Sequence, residues 1–387
     1  MIKKWSPVYV VVQEVFEILY SPVKAFRKII EKPDFKGVIL VLVLVISSML
    51  IVQYIASSKL LLENRNPEDD SWTETLTNQH NWISNGILAV DSTDYKLGNT
   101  EGNHSIVSSI SGEAIIWTKI ENIDQINCSE TSFKELFFAI KWTNDAEILP
   151  NSGSIKLFSG SNESYFEYNI IDDLGSNGNW KNVTLNVGVG QNWVPNNSPN
   201  WGNITGLEFQ LEWEAASNLS LKIDSLFFRN YISPFASGAF EGIILPIAFQ
   251  VMLNFATNLI LWAGLLLIIA KLFQEDVGPW NIFFIIIGYS FIVSVVYTLL
   301  SAIPLSTLPM LEVPLDTIAL NAMLDATWRP LIAYQLWLYI PIIGEVWLAA
   351  LGAIVIRQIK EITWSKAATI AAVAFAIRFI LRLLFGF

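Results

Sequence analysis

Side chains able to do covalent or hydrolytic chemistry are scarce in this sequence. It contains one cysteine, Cys128, and two histidines, His80 and His104. The paired His or Cys spacings that hold zinc do not occur, nor does a Walker-type phosphate loop or a Gly-x-Ser-x-Gly nucleophile elbow. Asp172 and Asp173 beside Gly175 read as a turn. The expectation is a protein that is not an enzyme. A single cysteine also rules out an intrachain disulfide. Three polar residues instead stand inside long apolar runs. Glu345 is suited to carrying a proton or ion, or to a helix-packing hydrogen bond. Asn254 and Asn258, four apart, would lie on one helical face and suit interhelical hydrogen bonds. Seven N-glycosylation sequons, at Asn103, Asn127, Asn162, Asn182, Asn196, Asn203 and Asn218, complete the set. An Asn- and Ser-rich segment also yields such triplets by chance.

The elements that must position these residues fall into two chemically different kinds. Residues 59–232 carry 23 Asp/Glu against 10 Lys/Arg, whereas the rest of the chain carries 12 against 14. The acidic segment excludes a nucleic-acid partner, which would need clustered Lys/Arg. A membrane-spanning helix needs about 20 mostly apolar residues. Five runs meet that length: 37–58, 242–270, 280–303, 330–356 and 367–387. The last contains Arg378 and Arg382, so an in-plane helix is its alternative.

Lys/Arg bias near helix ends sets orientation. The first 36 residues carry seven, and the 357–366 loop adds Arg357, Lys360 and Lys366. The 304–329 loop has only Arg329 beside Glu312, Asp316 and Asp325. The N-terminus is therefore expected in the cytoplasm, with the 59–232 insert and the C-terminus outside. Arg378 and Arg382 would then reach to the outer headgroups. Residues 8–20 are too short to span and read as an interfacial amphipathic helix within a cytoplasmic segment, 1–36.

The insert reads as a linker, 59–81, followed by β structure over 82–232. Leu207, Phe209, Leu211 and Trp213 alternate with Glu208, Gln210, Glu212 and Glu214, the period of a half-buried strand. Val183, Leu185 and Val187 alternate with Asn182, Thr184 and Asn186. Further strands are expected at 105–110, 113–120, 136–143, 154–158, 164–170 and 219–228, separated by turn clusters such as SGSNES and DDLGSNGN. Eight or so short antiparallel strands imply a sandwich. The fold class expected is a polytopic α-helical membrane protein of five spans with an inserted all-β jelly-roll sandwich.

The runs WISNGILAVDSTDYKLGNTEGNHSI, WTKI, GNWKNVTLNV and SLKIDSLFF resemble the galactose-binding-like jelly roll of carbohydrate-binding modules. That resemblance implies glycans as a partner class. Trp193 and Trp201 lie in a loop rich in Gly, Asn and Pro. They would either stack on a sugar face or pin the loop to the sandwich. It also implies a structural calcium, for which Asp91, Asp94 and Asp224 are the candidate donors. No other cofactor is expected.

Outside the insert, YSPVKAFRKIIEKPDFKG, AKLFQEDVGPWNIFFIIIGYS and EVWLAALGAIVIRQIKEITWSKAATIAAVA resemble the Yip1-domain membrane proteins over residues 1–58 and 234–387. Phe291 and Ile292 stand where that family usually has a proline after Gly-Tyr-Ser, and its first outer loop is usually short. The resemblance implies a non-enzymatic membrane organiser or adaptor contacting other membrane proteins or itself. A glycan-binding surface receptor or transporter accessory is the alternative, and a transporter or channel using Glu345 is a third reading. The expected location is the plasma membrane, or an endomembrane in a eukaryote. Ile/Asn-rich usage without disulfides looks more like an archaeal surface protein.

Overall fold

The computed structural model describes residues 7–76, 81–96, 102–130, 132–236, 239–275, 277–315 and 317–385. His80, Asp316 and the last two residues of the fifth apolar run lie outside them. The chain divides into two units. One comprises Met1–Leu60, Ser233–Leu311 and Met323–Phe387, and the other Leu61–Ile232 with Glu312–Ala322.

The helices are α1 (Pro7–Tyr20), α2 (Pro22–Glu31), α3 (Phe35–Ser58), α4 (Ala239–Leu272), α5 (Trp280–Ser290), α6 (Ile292–Thr307), α7 (Thr317–Thr327), α8 (Ile332–Lys360) and α9 (Trp364–Phe385). Their ends follow local chemistry. Pro22 opens α2 at a position whose N–H has no helical partner. Asp34 caps α3 by accepting from the Lys36 N–H at 2.9 Å. Glu361, at φ 51°, closes α8 through its N–H to the Arg357 carbonyl.

Among the described residues, five helical stretches are long and apolar enough to cross a membrane, by length and composition: Phe35–Ser58, Ile244–Leu272, Trp280–Thr307, Ile332–Lys360 and Trp364–Arg382. They coincide with the five expected runs. The third is interrupted at Phe291, between α5 and α6. The segment read as an interfacial helix has a packed face. Val15 and Ile18 of α1 and Phe26 and Ile29 of α2 are fully buried in the helical core, and Glu17 is clamped by Lys24 and Lys28 at 3.2 and 2.5 Å. Gly37 lets α3 close on α5, because a Cβ there would stand 1.9 Å from the Tyr289 ring.

The β unit contains β1 (Leu60–Asn66), β2 (Asn81–Ser84), β3 (Ile87–Asp91), β4 (Ser105–Ile126), β5 (Glu135–Asn144), β6 (Ser152–Ser161), β7 (Ser164–Asn169), β8 (Lys181–Asn186), β9 (Val194–Asn196), β10 (Ile204–Ile232) and β11 (Leu311–Val313). Strands β4 and β10 pair antiparallel from Ile106↔Ile223 to Ile126↔Ile204 and form its spine. Both cross from one layer of a sandwich to the other. The pairing slips between Glu212 and Ser217, opposite Gly112 at φ +75°. One half of the spine carries β2, β6, β7 and β9, and the other carries β3, β5 and β8. Between the layers Phe138 meets Phe209 at 5.1 Å and Trp142 meets Trp213 at 6.0 Å. The expected pairs 105–110/113–120 and 207–213/219–228 are thus two continuous, bent strands.

The expected linker, 59–81, is also structural. Residues Leu62–Asn66 pair with Phe228–Ile232, and Asp70, Trp72 and Thr73 are buried. The apolar side chains there add to the core rather than tethering it. Cys128 is buried, which pushes its thiol up to about 12 and leaves it inert.

Candidate functional site

The two loop tryptophans do not form an exposed platform. Trp193 is buried in the sandwich core, and its indole N–H donates to the Asn186 carbonyl at 2.8 Å. Trp201 stacks on Phe166 at 3.7 Å and meets Trp193 edge-on at 5.9 Å. The rings pin the 188–203 loop, so the ligand-binding expectation for Trp193 and Trp201 gives way to the structural one. The Trp193 ring is enclosed by the core, and Phe166 covers one face of the half-buried Trp201.

The calcium trio is corrected as well. Lys222 Nζ lies 2.6 Å from both Asp91 and Asp94, and Lys141 lies 2.9 Å from Asp94. The Lys222 hydrogen bond holds Asp91 well below the usual carboxylate range. Burial opposes the same effect at Asp94, yet Lys222, Lys141 and Trp180 bring it down to about 2. Ammonium groups already neutralise these two carboxylates.

Asp224 belongs to a different group, with Asp70. Both are buried, and the Thr73 hydroxyl lies 2.5 Å from Asp70 and 3.4 Å from Asp224. Backbone N–H groups of Lys96 and Ser225 donate to Asp224. Burial raises both carboxyl pKa values. Asp70 Oδ2 meets no donor among the described residues. A proton on Asp70 makes it the donor to Asp224, which resolves two adjacent buried carboxyls. No group of three or more His, Cys, Asp or Glu side chains among the described residues is arranged to hold a metal.

The site that the fold does assemble is the outer face of the layer built from β2, β4, β10, β6, β7 and β9. Its cross-strand register sets residues in rows. Lys119, Glu208, Lys156 and Glu167 form one row of alternating charge, and Trp117, Gln210, Ser154 and Asn169 form the next. Glu121, Gly206, Phe158 and Tyr165 follow on the other side. Lys119 bonds Glu121 at 2.6 Å and lies 5.9 Å over the Trp117 ring. Lys156 bonds Glu208 at 2.7 Å and Gln210 at 3.3 Å, and lies 5.7 Å over Tyr165. The ion-paired side chains here are only 15–22% exposed, so the face is partly shielded while still reachable.

Beside this face opens a polar cavity of about 390 Å³ lined by Glu121, Gly160, Ser161, Asn162, Thr205 and Gly206. Asn162, one of the sequon residues, donates there to Glu121 at 2.7 Å. The other six sequon asparagines are exposed at Asn103, Asn127, Asn182, Asn196 and Asn218 and half-buried at Asn203.

Trp117 is half-buried on β4. The alternation Ile116, Thr118, Ile120 inward and Trp117, Lys119, Glu121 outward was the signal that could have found this face.

In the helical unit, Glu345 does not stand alone. Arg378 reaches it at 2.5 and 3.4 Å, and Arg382 at 3.2 Å. Arg378, expected at the headgroups, turns inward and is 5% exposed. Its guanidinium also donates to Asn258 Oδ1 at 3.0 Å and lies 5.6 Å from the Trp262 ring. Asn258 thus bonds between helices, whereas among the described residues Asn254 offers its backbone carbonyl to Asn258 Nδ2 at 2.8 Å. Glu345 is a packed counter-ion to two arginines.

No family model matches the chain, and no curated protein matches it, so the Yip1 resemblance gains no support beyond its quoted residues. Solved structures do align with part of it. A family 11 carbohydrate-binding module from Clostridium thermocellum, in complex with a β-1,3-1,4-mixed-linked tetrasaccharide, aligns over 44% of this chain and 97% of that one. The identity is 13% and the TM-score 0.30. A family 30 carbohydrate-binding module covers 42% of this chain and 87% of its own, at 14% identity and a TM-score of 0.28. An exo-β-agarase covers 42% and 24%, at 9% identity and a TM-score of 0.32.

Proposed function

We propose that this chain is a non-enzymatic, membrane-embedded binding protein whose β unit takes a glycan on the outer face described above. The helical unit anchors it, with the N-terminus in the cytoplasm and the β unit outside. The observation that carries the reading is the Trp117/Gln210 row beside the Lys119/Glu208/Lys156/Glu167 row. A sugar needs an aromatic ring for its C–H face and fixed polar groups for its hydroxyls. This face offers both, on rigid strands, next to a polar cavity. The reading rests on that geometry and on no structural likeness.

Glycan-array binding by the full chain in lipid nanodiscs is the test. Wild type should bind at least one glycan class, and Trp117→Ala should abolish that binding with stability changed by no more than about 0.5 kcal/mol, as for a surface substitution. Absence of any wild-type binding on a broad panel would remove the recognition role. Binding that survives Trp117→Ala would move the site elsewhere.

A further inference from the structure

Between α8 and α9 lies a cavity of about 320 Å³ whose lining combines Glu345, Arg378 and Arg382 with Leu338, Ile342 and Phe379. Its two halves differ in character. Leu338, Ile342 and Phe379 are 42–45% exposed and form an apolar wall open to the outside of the helical unit. The polar end holds two arginines against one carboxylate, so it carries one positive charge in excess. Arg378 spends its donors on Glu345 and Asn258. Arg382 is 54% exposed and, among the described residues, bonds Glu345 through Nη1 alone. An arginine has five N–H donors in a planar fork that suits a phosphate.

We propose that this crevice holds a lipid with an anionic phosphate headgroup. The phosphate sits on Arg382, and an acyl chain runs along Leu338, Ile342 and Phe379. Charge complementarity selects an acidic headgroup over a zwitterionic one, and the apolar wall selects a lipid over a soluble anion. Glu345 sets the geometry by holding both arginines at the mouth, and it acts as a positioning residue. The inference rests on the membrane reading of the five helices.

The test uses the full chain, delipidated in an uncharged detergent and titrated with phosphatidylglycerol, phosphatidylcholine or inorganic phosphate, with thermal stability and native mass spectrometry as readouts. Phosphatidylglycerol should bind about tenfold more tightly than phosphatidylcholine, and Arg382→Gln should erase that preference, as expected for one charge-assisted hydrogen bond. Lys360→Gln, at an exposed position at the far end of α8, should keep it. Ile342→Trp fills the apolar wall and spares both arginines, so it should weaken phosphatidylglycerol binding even if Arg382→Gln fails to fold. Equal binding of the two lipids, an unchanged preference in Arg382→Gln, undiminished phosphatidylglycerol binding in Ile342→Trp, or equal protection by inorganic phosphate would overturn the proposal. Extraction of the chain from membranes by alkaline carbonate would overturn the membrane reading itself; retention there with no lipid preference would sink this proposal alone.

Discussion

The β unit and the helical unit handle charge in opposite ways. On the outer sheet face, Lys119, Lys156, Glu121 and Glu208 form short ion pairs that keep 15–22% of their surface in water. In the helical unit one cluster, Arg378, Glu345 and Arg382, gathers charge around a guanidinium that is 5% exposed. A sheet face at the water boundary tolerates many weak pairs, because each lost partner is replaced by solvent. A packed helical interior has no such replacement, so its charges are few and mutually dependent. Loss of one partner should therefore be costly in one unit and minor in the other.

The largest effect is expected at Arg378. Arg378→Gln leaves Glu345 without its main partner, and unfolding of the full chain in detergent should show a loss of about 3–5 kcal/mol. The pairing of Arg378→Leu with Glu345→Leu should recover most of that loss, since the cost comes from the uncompensated charge. A single variant as stable as wild type would erase the contrast between the units.

Trp193→Ala belongs to the same range, for a different reason. The ring fills core space and bonds Asn186, so truncation should cost about 3–5 kcal/mol of β-unit stability. A loss below about 1 kcal/mol would return Trp193 to the surface and reopen it as a ligand platform.

Much of this arrangement was legible in the sequence, and what was missed has identifiable causes. The five apolar runs appear as helices because length and composition alone specify them. The alternation of Leu207, Phe209, Leu211 and Trp213 with charged residues appears as drawn. Polar interruptions such as SISGEA and EAASN look like chain reversals, yet they only bend β4 and β10 between layers, because each strand keeps its partner across the bend. The segment 59–81 lacks a clear period and reads as a linker, although its β1 pairs with β10 and Asp70 is core. Trp193 and Trp201 sit in a loop whose composition signals exposure, and only tertiary packing buries Trp193 beside Tyr168 and stacks the half-buried Trp201 on Phe166. Glu345 was visible as an anomaly. Its partners, 33 and 37 residues later, were not, because no local rule links two helices at that separation.

Asp70 and Asp224 sharpen the comparison, because here the β unit buries acid without a cation. In the unfolded chain Asp70 ionises in the ordinary carboxylate range; in the fold, burial foremost and the neighbouring Asp224 keep its proton until about pH 9. The native state therefore binds more protons than the unfolded state between those values. Stability contributed by this pair is full below the carboxylate range and falls as pH rises toward about 9. Thermal unfolding followed from pH 5 to 9 should decline in wild type and flatten in Asp70→Asn, which keeps the donor to Asp224 without a titrating proton. Millimolar calcium should leave the wild-type profile unchanged; a calcium-dependent rise above pH 7 would put a cation, in place of the proton, between these carboxyls.

The smallest effect is expected on the sheet face itself. Lys156 bonds Glu208 and Gln210 and covers Tyr165, but it keeps 20% of its side chain in water. Lys156→Ala should cost about 0.2–1 kcal/mol, the range of a partly screened pair, and less at high salt. Glu208 then stays hydrated and Gln210 finds water, so neither is left as a buried orphan. The same change should matter more for ligand binding than for folding, because it removes a donor from the middle of the Lys119/Glu208/Lys156/Glu167 row and uncovers the Tyr165 ring. A stability loss as large as that of Arg378→Gln would mean that the face is built as an interior, closed to any ligand. A negligible stability loss joined to altered glycan binding would identify it as a surface held in place by the strands and left free for recognition.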